Sequence, residues 1–168
     1  KAKEQWESIC VIVQNVSHHL FFLPAVDASG RRLAAGEIRE EVKEVMSRFV
    51  RNSKEIGFRV DLKKYAFEIE GIPTEETEYL HVVYPGRYVQ KPPLHGAHYQ
   101  HVFGTTTSAT ESFLLSLGIK GPQWLQVTGV TPRRDRLSFC AFEFEVPDCA
   151  NNFTVLSDRS PPDRKSVV

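Results

Sequence analysis

From Ile38 the apolar residues recur at Val42, Val45, Met46, Phe49 and Val50, a spacing of three and four that lines one face of a helix. Arg39, Glu40, Lys43, Glu44 and Arg48 fill the opposite face, so the pattern predicts an amphipathic helix over about 37–52. Elsewhere the period shortens. Runs at 9–16 and 19–23, separated by Ser17 and His18, are β-rich and predict a strand pair or one bulged strand. Further strands are predicted at 58–62, 65–69 and 79–84, with 71–77 as a connecting loop. Pro85-Gly86 and Pro92-Pro93 punctuate a long connection that reaches His101, and loops of that length are often functional or mobile.

A second, short helix is predicted after Ser108, which forms a capping box with Glu111, and its stop is set by Gly118 at a left-handed C′ position. Gly121-Pro122 then turns the chain into strands at 123–128 and 138–146. Glu68, Glu70, Glu143 and Glu145 alternate along predicted strands and read as exposed edges or faces. The alternation gives an α+β class: a mixed or antiparallel sheet with two main helices, compatible with a ferredoxin-like or RNA-recognition-like split β-α-β core. One domain is expected over 1–156, with 157–168, rich in Ser, Pro, Asp, Arg and Lys, as a linker.

Composition narrows the function classes. With 168 residues the chain is long enough for a real core, and its 41% hydrophobic and 25% charged content is that of a soluble globular protein. Lys plus Arg and Asp plus Glu both number 21, so attraction of nucleic acid must come from a local patch and not from global charge. Cys10, Cys140 and Cys149 form no C-x-x-C spacing, which suits a reducing compartment. No apolar run approaches the roughly 18 residues that cross a bilayer, and the charged start is not followed by a signal-like core; a soluble, intracellular chain is the expectation.

Three chemistries can be weighed on the residues. His95, His98 and His101 invite a metal reading, but the surrounding Pro and Gly argue against a helix that would hold them, and no cysteine pair supplies further ligands; no metal site is expected. Catalysis needs a nucleophile with a positioned base, or carboxylates around a metal, and the chain holds no G-x-S-x-G, H-E-x-x-H or G-x-x-x-x-G-K pattern. For nucleic acid the candidates are Lys63, Lys64, Arg87, Lys91, Lys120 and the densest cluster, Arg133, Arg134 and Arg136. Tyr88, Tyr99 and Phe103 offer faces for stacking bases, although the RNP1 signature is absent and sheet-face stacking is therefore not expected.

One stretch is far less generic. His101-Val102-Phe103-Gly104-Thr105-Thr106-Thr107-Ser108, leading through Glu111-Ser112-Phe113-Leu114 to Ile119-Lys120-Gly121-Pro122-Gln123-Trp124-Leu125, resembles H-V-F-G-T-x-T-S, E-x-F-L and I-K-G-P-x-W-L of the N-terminal domain of DNA polymerase alpha catalytic subunits, replicative enzymes of polymerase family B. Cys10-Val11-Ile12-Val13-Gln14-Asn15-Val16 with Leu20-Phe21-Phe22-Leu23-Pro24, and Tyr65-Ala66-Phe67-Glu68-Ile69 with Ile72-Pro73 and Glu78-Tyr79-Leu80, resemble two further blocks in the same order. The resemblance thins after Val127, and Ser160-Pro161-Pro162 is similar to the tripeptide before the family's exonuclease-like domain.

The resemblance implies a non-catalytic N-terminal domain, beginning inside the natural domain, that scaffolds the polymerase and helps shape its template channel. The parent enzyme would extend RNA primers with deoxynucleotides in the nucleus, with Mg2+ in a palm domain elsewhere and no cofactor here. The D-T-D-S polymerase motif and the D-x-E exonuclease motif of the family do not occur in this chain. Implied partners are template and primer DNA, the exonuclease-like and palm domains of the same chain, and primase with accessory subunits. His101, Phe103, Gly104, Ser108, Glu111, Phe113, Gly121 and Trp124 carry over as fold positions, with Phe113 and Trp124 packing the second helix onto the sheet and 104–108 setting its entry. A free-standing single-strand binding module and a protein-interaction platform for replication subunits are the alternatives.

Overall fold

The computed structural model describes residues 7–65, 68–89, 91–147 and 151–157. It is α+β, and the chain divides into two compact units, one of residues 17–109 and one joining 1–16 to 110–168. No helix among the described residues is long and apolar enough to cross a membrane.

The central unit holds strands β2 (Ser17–Pro24), β3 (Gly57–Lys63), β4 (Thr77–Pro85) and β5 (Tyr99–Phe103), helix α1 (Arg39–Ser47) and a 3-10 turn at Ser53–Glu55. Its sheet runs β3-β4-β2-β5 with every neighbouring pair antiparallel. Strands β2 and β3, joined through α1, therefore run parallel with β4 between them. The apolar positions of α1 do what their spacing predicts. Ile38, Val42, Met46 and Val50 bury against Leu20, Phe22, Leu80, Val82 and Val102, the residues that one face of the sheet presents. Each such side chain contributes roughly 1.5–3 kcal/mol on burial. Glu40 and Glu41 in the first turn suit the positive end of the helix dipole.

The helix is shorter than 37–52. Its end is tightened by i to i−3 bonds from the Arg48 amide to Val45 (3.3 Å) and the Phe49 amide to Met46 (3.2 Å), and Asn52 then opens the 3-10 turn by accepting from the Lys54 amide at 3.2 Å. The connection after β4 is fastened to α1. The Glu41 carboxylate accepts the Ala97 amide (2.7 Å), the His98 amide (2.9 Å) and the His98 Nδ1–H (2.8 Å). Glu41→Ala is expected to release this connection at a cost of about 1–3 kcal/mol, read as faster hydrogen exchange at the Ala97 and His98 amides with the β4 amides unchanged.

The second unit contains β1 (Ile9–Val13), helix α2 (Ala109–Ser116, starting at the unit boundary), β6 (Trp124–Val127), β7 (Thr131–Pro132), β8 (Phe142–Val146) and β9 (Phe153–Leu156). Strand β1 pairs parallel with β8, β7 runs antiparallel to β8, and β6 and β9 form an antiparallel ribbon. Helix α2 ends as predicted. Gly118 has φ +68°, its amide reaches Leu115 O (3.1 Å) and the Ile119 amide reaches Leu114 O (2.9 Å), the bond pair of a Schellman stop.

Four sequence expectations are corrected. The runs at 9–16 and 19–23 are not a strand pair, because β1 and β2 belong to different sheets. Asn15, at φ +55° and donating to the Pro147 carbonyl at 2.8 Å, turns the chain between them. No strand forms at Tyr65, Glu68 or Ile69, so Glu68 and Glu70 are not strand residues; Ala66 and Phe67 lie outside the described residues. The final strand begins at Phe142 and not at 138, and Glu143, expected on an exposed edge or face, is buried. It accepts the Leu137 and Ser138 amides, so the chain at 137–138 serves that carboxylate instead of pairing. The long connection stops at Tyr99, where β5 starts, since His101 to Phe103 already pair with β2. Cys149 and Ser160 to Pro162 lie outside the described residues, as does 158–168 of the expected linker.

Candidate nucleic-acid interface

Strand alternation sends Leu20 and Phe22 of β2 toward α1 and therefore sends His19, Phe21 and Leu23 to the opposite face. The register carries this across the sheet. Arg59 on β3 stands opposite His81 on β4, His81 opposite Phe21 on β2, and Phe21 opposite Phe103 on β5, so one cation and three rings form a row over all four strands. Phe21 stacks on His81 with centroids 4.2 Å apart, and Tyr65, Tyr79 and His101 lie against Phe103 at 4.9, 5.9 and 4.5 Å.

His81 is the buried hub. Its Nδ1 lies 2.8 Å from Asp61 Oδ2, and its Nε2 lies 2.9 Å from His19 Nδ1. A neutral ring satisfies both when Nδ1–H donates to the carboxylate and Nε2 accepts from the Nδ1–H of His19. Arg59 Nε, 2.7 Å from the same Nδ1, then has Asp61 Oδ1 as its acceptor at 3.2 Å, because one nitrogen cannot donate and accept together. Burial pushes the pKa of His81 below the ordinary imidazole value against the opposing pull of Asp61. It does the same to His19, where Arg59 and His18 add repulsion, and to His101, where His95 does.

Beside this row lies a cavity of about 190 Å³ lined by Phe21, Lys63, Lys64, Tyr65, Tyr79 and Phe103. Lys63 Nζ sits 5.2 Å from the centroid of Phe21, and both lysines are exposed. Of the candidate cations, Lys63 and Lys64 thus line this aromatic cavity. The others belong to the second unit or face different partners. Arg133 Nη1 pairs with Glu145 Oε2 at 3.3 Å, Arg136 donates to the Cys140 and Ala141 carbonyls, and Arg134 and Lys120 are exposed. Arg87 pairs with Glu55 and stacks on Tyr88, beside Arg48 and Arg51 at a wide cleft; Lys91 is exposed.

Tyr99 is no stacking platform. It is buried edge-on to Phe22 in the core, with centroids 5.1 Å apart. Among the motif residues, His101 and Phe103 lie on β5, Gly104 follows directly, and Ser108 immediately precedes α2, whose third residue is Glu111. Phe113 meets Phe153 of β9 at 5.0 Å, Gly121 is exposed and Trp124 opens β6. His95 contacts the Gln100 carbonyl, His98 contacts Glu41 and His101 rests on Phe103; no group of three or more His, Cys, Asp or Glu among the described residues is placed to hold a metal ion. Sequence reasoning missed Phe21, Tyr65, His81 and Arg59. The adjacent rings of Phe21 and Phe22 leave the buried parity of β2 open until α1 is seen to cover one face.

No protein-family profile matches the chain. Curated relatives do. The DNA polymerase alpha catalytic subunit of Mus musculus is 38% identical over 164 residues, 92% of this chain and 11% of that protein. Those of Xenopus laevis and Leishmania donovani are each 33% identical, over 96% and 86% of this chain. The chain spans about a tenth of the length of these relatives.

Proposed function

Because the chain is homologous over nearly its whole length to a segment of the DNA polymerase alpha catalytic subunit, we propose that it is the N-terminal, non-catalytic element of such a polypeptide, docking against the exonuclease-like and palm regions and helping to shape the template channel. The parent extends RNA primers by DNA-templated deoxynucleotide addition at replication initiation and on the lagging strand, in the nucleus and with primase and accessory subunits as partners. Two-metal chemistry on Mg2+ belongs to the palm. The strand order β3-β4-β2-β5 and the parallel β2-α1-β3 crossover favour a ferredoxin-like or RNA-recognition-like core for the central unit. In this chain the segment between β4 and β5 that would carry the second helix is a connection without one among the described residues.

One observation carries the docking reading. In the second unit Leu115, Leu137, Phe139 and Phe142 are exposed, while the two clusters of buried apolar residues found among the described residues lie in the central unit. A surface of that kind needs a cover, and about nine tenths of the relatives' length lies beyond the matched segment. Leu137→Asp with Phe139→Asp in the longer polypeptide is expected to raise protease sensitivity and lower primer extension several-fold. In the 168-residue chain the same pair leaves the melting temperature unchanged. A parent enzyme indifferent to both changes would remove the docking role.

A further inference from the structure

The aromatic face of the central sheet has a built pocket that a scaffolding role does not use. Phe21 and Phe103 stand side by side on β2 and β5, Tyr65 and Tyr79 lie against Phe103, and the exposed Lys63 and Lys64 complete the lining. Its volume of about 190 Å³ holds about six waters at liquid density. That is enough for one flat ring and below the roughly 300–1,000 Å³ of pockets for drug-sized ligands.

The charges at the pocket have one sign. Among the described residues that line it there is no carboxylate, and Asp61 on the same face is engaged by Arg59 and His81. An aromatic floor takes any base through its π-face, and cations one residue apart suit the phosphates that flank it. A duplex cannot offer a base this way, because its bases are stacked inside the helix. We propose that this pocket binds one unpaired nucleobase of a single-stranded nucleic acid, stacked against Phe21 and Phe103, with the adjoining phosphates on Lys63 and Lys64. This deepens the polymerase reading, resting on it for the identity of the strand as template, and assigns the contact to residues of the central unit instead of the arginine cluster at Arg133 to Arg136.

The RNP1 signature is not required for this arrangement. The rings come from β2, β4, β5 and the residue after Lys64, and the register of the sheet assembles them where no contiguous motif would.

The test titrates the 168-residue chain with a fluorescent oligothymidylate and with a matched duplex at several salt concentrations. Phe103→Leu keeps an apolar side chain there and removes the flat face. It is expected to weaken single-strand binding about 5- to 100-fold and leave duplex binding unchanged. Lys63→Gln with Lys64→Gln is expected to flatten the slope of log K against log salt by about 1.4. A thermal melt of each variant reports folding, and photocrosslinking of a 4-thiothymidine oligonucleotide to the unmodified chain gives a readout independent of substitution, with adducts expected at Phe21, Tyr65 or Phe103. Absence of single-strand binding at low salt overturns the proposal, as do adducts confined to other residues or a folded Phe103→Leu chain with wild-type affinity. Each of these outcomes leaves the docking test on Leu137 and Phe139 standing, so the two readings fail separately.

Discussion

Gly104→Ala is expected to destabilise the chain by about 2–4 kcal/mol and to lower its melting temperature by roughly 5–15 °C. Two penalties coincide at this position. The backbone φ is +88°, in the left-handed region where a side chain costs about 1–2 kcal/mol. A Cβ added here would also lie 2.3 Å from the carbonyl oxygen of His19, far inside van der Waals contact and against backbone, which cannot swing away as a side chain end can. Relief requires β5 to part from β2 at the rung where Phe103 opposes Phe21, so the loss extends from the turn into the aromatic row. Circular dichroism melts of the two chains decide it. A melting temperature within about 2 °C of wild type would mean that the turn has room the geometry denies.

The second large effect is a loss of stability on mild acidification. His81, His19 and His101 each have a pKa lowered by burial in the folded chain, so the unfolded chain binds more protons once pH falls through the ordinary histidine range. For a group with a depressed folded pKa the stabilisation is complete above the unfolded value and is lost as pH falls toward the folded one. Unfolding free energy should therefore fall between about pH 7 and pH 5, by up to about 1.4 kcal/mol per pH unit for each proton taken up. His81 is the hub, since protonating its Nε2 removes the acceptor for His19 and places a new charge against Arg59, with Asp61 the compensating group. Urea titrations at pH 5, 6 and 7 should show the slope, and His81→Gln should reduce it while lowering stability at pH 7. An unchanged slope in His81→Gln would assign the titration to other residues. Glu143, held below the usual carboxylate range by the Ser138 side chain and then the Leu137 amide, acts in the same direction but only below about pH 4.5, outside that window.

Local chemistry was legible wherever a residue's role depends on its own chain neighbours. Gly118 reads as a helix stop because a left-handed C′ position favours glycine, and the 42/45/46/49/50 pattern reads as a buried helix face because helical geometry alone brings those residues together. The end of that helix was misread because apolar periodicity continues through Phe49 and Val50 while the hydrogen bonds tighten to i−3. Glu143 was misread for a related reason: alternation places it on a strand but does not reveal that 137–138 folds back to donate its amides to the carboxylate. The basic cluster at Arg133 to Arg136 stood out as the densest charge, yet two of its three arginines are turned to local partners, which spacing does not disclose.

The α+β class, the amphipathic helix, its glycine-stopped companion and the motif blocks that tie the chain to replicative polymerases could be read from residue order, because these rest on contacts within a few residues or on strings of residue types. Which strands share a sheet, which parity of β2 faces α1, and the meeting of Phe21, Phe103, Tyr65, Lys63 and Lys64 around one pocket emerge with the long-range pairing of the strands. Those residues come from separated segments, and only the long-range register that buries Leu20 and Phe22 under the helix turns Phe21 to the other side of the sheet.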